Sequence, residues 1–208
     1  LWQPSESDVR QSNLTAFMDF LEKRSSKTFT DYDALYAYSI NHPSAFWEGV
    51  WEYTRIDHSV PPTHIMGPEP MPHTKWFSGA KLNFAENLLR YRDDKVAIVE
   101  INESTTTPTE ITYAQLYDKV AKFSHFLKAQ GIGQGDRVAG FLPNVSEAII
   151  AMLATASLGA VWSSCSPDFG FQGVLDRFGQ INPKILIATN GYTYNGKTYD
   201  TIERIQTV

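Results

Sequence analysis

Between residues 111 and 169 the apolar positions switch repeatedly from one period to another. Leu116, Val120, Phe123 and Leu127 recur at steps of four, three and four, which lines one face of a helix. The run at 137–142 is short and nearly continuous, as in a strand buried on both faces. A second helical stripe passes through Ile149, Ile150, Leu153 and Ala156, and a strand follows at 160–165. Beyond it, Val174, Leu175, Phe178 and Ile181 predict a helix over 172–181, and 184–188 reads as another buried strand. Boundaries carry the matching signals. Thr112 and Gln115 fit a capping box, Asn144 to Glu147 repeat that logic after Pro143, and Gly131 and Gly159 close the two helices. Such alternation predicts an α/β fold with a doubly wound, mostly parallel sheet, whose ligands bind outside the carboxyl ends of the strands. Three loops sit there: Pro143-Asn144, residues 166–170, and the chain from Thr189 onward.

Residues 1–92 lack this alternation and form a helical and irregular N-terminal appendage to an α/β domain at 93–208. Leu14, Phe17, Met18 and Leu21 mark one amphipathic helix, and Tyr32, Leu35, Tyr36 and Ile40 a second. Ser44 is placed to cap a third, in which Trp47 and Trp51 share a face. That face suits packing, with stacking on a ligand as the other use. Five prolines between positions 61 and 72 predict an irregular surface connector. A last stripe, Leu82, Ala85, Leu88 and Leu89, predicts a helix that docks on the following domain. Residues 96–101 and 110–112 predict a hairpin with an exposed, threonine-rich loop.

Composition narrows the function classes. A formal charge of −5 without a cluster of Lys or Arg leaves no basic footprint for nucleic acid or a membrane surface, which points to small-molecule partners. No apolar run is long enough to span a bilayer, and the first residues lack a secretory pattern. A single cysteine, Cys165, suits a reducing compartment, so the cytoplasm is expected. The chain starts at Leu1 without Met and stops inside a helix that the sequence predicts to begin at Asp200; a piece of a longer protein is therefore expected. Composition and pattern set no oligomeric state.

The sharpest chemical pattern is Gly191 to Thr198, which satisfies G-x-x-x-x-G-K-[ST] after a strand. As a phosphate loop it would cradle phosphate on backbone N–H groups, with Lys197 neutralising charge and Thr198 reaching Mg²⁺. The same residues also read as a small hairpin, because Tyr192 to Tyr194 alternate and Asn195-Gly196 is a preferred type I′ turn. An ATPase or kinase is thus one alternative and a non-catalytic binding module another. The five histidines show no metal-ligand spacing, so no metal site is assigned. Ser163 to Ser166 lack a G-x-S-x-G elbow and read as packing at a strand end. Asp168, and Asp176 with Arg177, read equally as capping and surface ion pairing. No catalytic residue is assigned.

Three segments carry a resemblance. W-F-S-G-A-K-L-N-F-A-E-N-L-L at 76–89, G-A-V-W-S-S-C-S-P-D-F-G at 159–170 and D-R-F-G-Q-I at 176–181 resemble the acetoacetyl-CoA synthetases. These enzymes are similar to acetyl-CoA synthetase within the adenylate-forming superfamily. The likeness covers most of the chain from about Phe46 to Asp200, and the W-S-S-C-S-P-D-F-G segment resembles the acetoacetate branch rather than the acetate one. It implies ligation of acetoacetate to CoA, with Mg-ATP giving an acyl-adenylate and pyrophosphate before CoA displaces AMP. It also implies that the ATP loop, the ATP- and Mg-binding residues, the acyl pocket and the catalytic Lys lie beyond position 208, so that this stretch alone is inactive. What remains for this stretch is one side of a CoA site, at Ser166, Pro167, Asp168, Tyr194 and Lys197. Lys197 matches the family in charge, whereas Tyr194 stands where an Arg is usual.

Overall fold

The computed structural model describes residues 2–103 and 107–207, in two compact units, Leu1–Leu82 and Asn83–Val208. The center of the predicted threonine-rich loop lies outside the described residues.

The first unit holds helices α1 (Glu6–Arg10), α2 (Asn13–Ser25), α3 (Tyr32–Asn41) and α4 (Pro43–Tyr53), then strands β1 (His64–Met66) and β2 (Trp76–Ser78). Its core joins Phe17, Leu21, Phe29 and Leu35, with Phe46, Val50 and Tyr53 packed on them. Gly49 lets α4 approach α2: a Cβ there would stand 2.4 Å from Leu21 Cδ2. Two expectations fail locally. Ser44 does not cap α4; the helix starts at Pro43, whose missing N–H costs nothing in a first turn. The proline-rich stretch is not wholly irregular either. Between Pro62 and Pro68 it leaves three residues for β1, which pairs antiparallel with β2. Trp47 and Trp51 do form a packing face: Trp47 meets Trp76 edge-on at 5.9 Å, and Trp51 stacks on Phe77 at 4.8 Å.

The second unit runs α5 (Phe84–Leu88), β3 (Val96–Glu100), β4 (Thr109–Thr112), α6 (Tyr113–Ala129), β5 (Arg137–Phe141), α7 (Ser146–Ser157), β6 (Val161–Cys165), α8 (Phe171–Ile181), β7 (Ile185–Ala188), β8 (Gly191–Tyr194), β9 (Lys197–Asp200) and α9 (Ile202–Thr207). Strand β5 is the middle of a parallel three-stranded sheet, flanked by β6 and β7. Its side chains alternate between two cores, as a strand's pleat requires. Val138 faces α6 and α7 with Leu116, Val120, Leu127 and Leu153, while Ala139 and Phe141 face α8 with Val174 and Phe178. Helices therefore cover both faces, the doubly wound arrangement. At Gly140 a Cβ would stand 2.5 Å from the Trp162 ring, so glycine is what admits that indole beside β5.

Local chemistry explains the helix ends. Thr112 Oγ1 accepts from the Gln115 N–H at 3.2 Å and Gln115 Oε1 accepts from the Thr112 N–H at 3.0 Å, the expected reciprocal box. Gly131 takes φ +79 after the last turn of α6. Asn83 caps α5 and its amide donates to the Ala156 carbonyl at 2.9 Å, which ties α5 to the end of α7. Helix α7 departs from expectation. No side chain of 144–147 caps it; the Ser146 N–H donates to Glu100 Oε2 at 2.7 Å, so the end of β3 supplies the acceptor from 46 residues away.

Candidate functional site at the carboxyl ends of the parallel strands

The carboxyl ends of β5, β6 and β7 open into a cleft of about 1160 Å³. All three predicted loops line it: Pro143-Asn144 after β5, Ser166 to Asp168 after β6, and Thr189-Asn190 after β7. Strand β8 and the segment from Ile101 to Glu103 complete the lining. Reversal of strand order about β5 produces this crevice, because the connections after β5 and β6 leave toward opposite sides of the sheet.

Asp168 organises the loop after β6. Its carboxylate accepts from Ser166 Oγ at 3.0 Å and from the Tyr192 hydroxyl at 2.7 Å, while its own N–H donates to Ser166 Oγ at 3.3 Å. Pro167 between them is fully buried. The loop is thus fastened to β8, and the Tyr192 ring in turn stacks on Tyr199 across the hairpin at 5.3 Å. Behind it, Arg177 lies over the Phe169 ring at 4.1 Å. The Cys165 thiol is buried, and burial pushes its pKa up against the opposing pull of Arg177. A thiol held in its neutral form at physiological pH is a packing group, not a nucleophile.

Residues 191–200 form a hairpin, with Tyr192 opposite Tyr199 and Tyr194 opposite Lys197. Asn195 (φ 51) and Gly196 (φ 70) both take the left-handed region, as a type I′ turn requires. This overturns the phosphate-loop alternative. Lys197 begins a strand, and α9 starts only at Ile202, so no helix N-terminus stands behind the glycine and lysine. Nor are the turn amides open to phosphate: Glu103 accepts from the Asn195 N–H at 3.0 Å and from the Gly196 N–H at 2.9 Å. Those two bonds, from Gly196 first and then Asn195, hold the Glu103 carboxyl below its ordinary pKa. Thr201, fully buried, closes the hairpin base by donating to the Thr189 carbonyl.

Of the residues singled out from sequence, Ser166, Pro167, Asp168 and Tyr194 line the one cleft. Lys197 stands beside Tyr194 at the hairpin tip, outside the lining. Tyr192 and Glu103 were not anticipated. The alternation of Tyr192 and Tyr194 was the only signal for the first, and Glu103, 92 residues from its partner, gave none. Among the described residues the lining carries Glu103, Glu147 and Asp168 and no Lys or Arg. The lining therefore offers carboxylate acceptors and the rings of Tyr192 and Tyr194. Among the described residues no group of three or more His, Cys, Asp or Glu is placed to hold a metal ion. No helix among them is long and apolar enough to cross a membrane.

Comparison with known proteins gives this geometry its setting. Acetoacetyl-coenzyme A synthetase of Rhizobium meliloti (strain 1021) is 43% identical across all of this chain and 32% of its own length. Malonamoyl-CoA synthetase of Penicillium aethiopicum is 36% identical, again across all of this chain and 30% of its own. A solved structure, acetoacetyl-CoA synthetase from Streptomyces lividans, superposes with a TM-score of 0.93 at 38% identity, covering 99% of this chain and 32% of that one. The chain thus spans about a third of the length of the curated relatives it matches. Residues 32–88 match the acetyl-coenzyme A synthetase N-terminus model, and residues 84–207, more than half of the chain, match the model of the AMP-binding enzymes. The chain belongs to the AMP-binding enzyme family.

Proposed function

We propose that the protein containing this chain is an acid–thiol ligase that joins acetoacetate to CoA. Acetoacetate attacks the α-phosphorus of Mg-ATP, releasing pyrophosphate and leaving an acyl-adenylate. The CoA thiol then attacks the acyl carbon, AMP departs, and acetoacetyl-CoA is formed. The observation that carries this reading is likeness over the whole chain to acetoacetyl-CoA synthetases in both sequence and backbone.

Within that reaction this stretch supplies scaffold and one wall of the CoA site. Ser166, Pro167 and Asp168 shape the wall, Tyr194 offers a ring and a hydroxyl to the adenine, and Lys197 meets phosphate at the rim. ATP and Mg²⁺ are bound elsewhere in the protein, as the family resemblance implies; among the described residues the cleft lining holds no Lys or Arg to meet a triphosphate. The 208-residue chain alone is accordingly expected to form no adenylate. A reducing cytoplasm suits a protein of this composition.

The acyl group is the finer question. Malonamoyl-CoA synthetase is 36% identical over this same stretch, so a short acid with a carbonyl at the β position is the class, and acetoacetate its favoured member. The complete gene product decides the matter: with acetoacetate, acetate and malonamate offered separately, pyrophosphate exchange into ATP and CoA-thioester formation should both be highest with acetoacetate. Exchange with none of the three acids would refute the ligase reading, and preference for malonamate would reassign its substrate.

A further inference from the structure

We infer that Glu103 is a positioning residue: its carboxylate clamps the tip of the β8–β9 hairpin and thereby fixes where Tyr194 and Lys197 stand. The functional side of this inference rests on the CoA-site reading above; the clamp itself rests on geometry alone.

Among the described residues, strands β8 and β9 pair only with each other. A two-stranded hairpin is marginal by itself and must borrow rigidity from its surroundings. Each level of this one has an attachment. The base is closed by Thr201 on Thr189, and the middle by the Tyr192 hydroxyl on Asp168 at 2.7 Å. The tip is reached by Glu103, from the end of the segment that follows β3.

The chemistry of the tip accounts for the residue type. With both central residues at positive φ, a type I′ turn presents two consecutive N–H groups that the ladder does not use. One carboxylate satisfies both, one oxygen each, at 3.0 and 2.9 Å. Charge-assisted bonds of this kind are stronger than neutral ones, and the depressed carboxyl pKa accords with them. A glutamine keeps one acceptor but turns its NH₂ toward the second N–H, so it holds the turn by half. Lys197 and Tyr194 flank the clamped pair and face each other in the ladder, so release of the turn frees both at once.

The test uses the complete gene product and its Glu103→Ala and Glu103→Gln variants. Amide hydrogen exchange at Asn195 and Gly196 should quicken in both, more in the alanine variant. The KM for CoA should rise by about tenfold in Glu103→Ala and by about threefold in Glu103→Gln, less than the full worth of the lost bonds because the tip is solvent-exposed and acts on CoA only through Tyr194 and Lys197. Acetoacetate-dependent pyrophosphate exchange and the thermal midpoint should stay near wild type, which separates positioning from general loss of structure. Unchanged amide exchange would overturn the clamp. Faster exchange with an unchanged KM would overturn its role in binding, and a lower KM would show that Glu103 competes with ligand for the turn. A wild-type protein that makes no CoA thioester would refute the ligase reading, while amide exchange would still decide the clamp.

Discussion

Strand β5 and the β8–β9 hairpin border the same cleft and are held by opposite means. Val138 and Ala139 of β5 are fully buried in two different apolar cores, and each strand neighbour adds parallel backbone pairing. Side chains of β8 and β9 are half-buried or exposed, and their position depends on polar bonds to Asp168, Glu103 and Thr189. Burial is non-directional and spread over many contacts, whereas a hydrogen bond fails when one atom is removed. The sheet should therefore lose stability when damaged, and the hairpin should lose geometry.

The largest effect belongs to the sheet side. Leu127 is fully buried among α6, α7 and β5, so Leu127→Ala should cost about 2–5 kcal/mol and lower the denaturant midpoint of the complete protein. Next comes Gly140→Ala, whose methyl would meet the Trp162 ring; overpacking of this kind costs about 1–3 kcal/mol and should appear in the same melt. Thr112→Ala removes a helix cap with a local partner and should cost about 1 kcal/mol. Tyr192→Phe should move stability least and the cleft most. It leaves the Tyr192–Tyr199 stack and deletes the bond to Asp168, so a rise in the KM for CoA with little change in melting would separate the two regions.

Acidity sharpens the same contrast. Because the Glu103 carboxyl sits below its ordinary value of 4.5 in the folded protein, its hold on the turn is fully present above that value and is lost only as pH falls through the lower folded pKa. Asp136 behaves likewise. Lys184 at 2.7 Å, with help from the Gly133 N–H, depresses its pKa below the ordinary 3.8, so this tie to the chain before β7 also weakens only in stronger acid. Among the described residues, the one titrating group that is a buried member of either apolar cluster is the Cys165 thiol, whose pKa burial raises. Amide exchange at Asn195 and Gly196, corrected for intrinsic rates, should thus accelerate below pH 4.5 before the protected amides of β5 do.

What the sequence disclosed follows from where the information lies. Periods of three and four placed α6, α7 and α8, and short, nearly continuous apolar runs placed the parallel strands, because burial acts on every residue of an element. The box at Thr112 and Gln115 was legible since both partners are local, and the Asn195-Gly196 turn since its backbone demands those residues. Helix α7 was not: its acceptor is Glu100, on another element, so the polar residues at 144–147 suggested a cap that they do not form. Strand β1 escaped notice because three residues between prolines carry too little pattern. The phosphate-loop pattern at 191–198 shows the converse, since its glycines and lysine serve a turn and a strand. Within the cleft, residues near strand ends were found by position, while Glu103 and Tyr192 depend on contacts that no spacing announces.

The proposed function makes this cleft and its hairpin a wall for CoA and not a site for ATP. Lys197→Ala in the complete gene product tests it most directly, with the KM for CoA and acetoacetate-dependent pyrophosphate exchange measured side by side. A higher KM for CoA with pyrophosphate exchange preserved is expected. Loss of pyrophosphate exchange at an unchanged KM for CoA would contradict it.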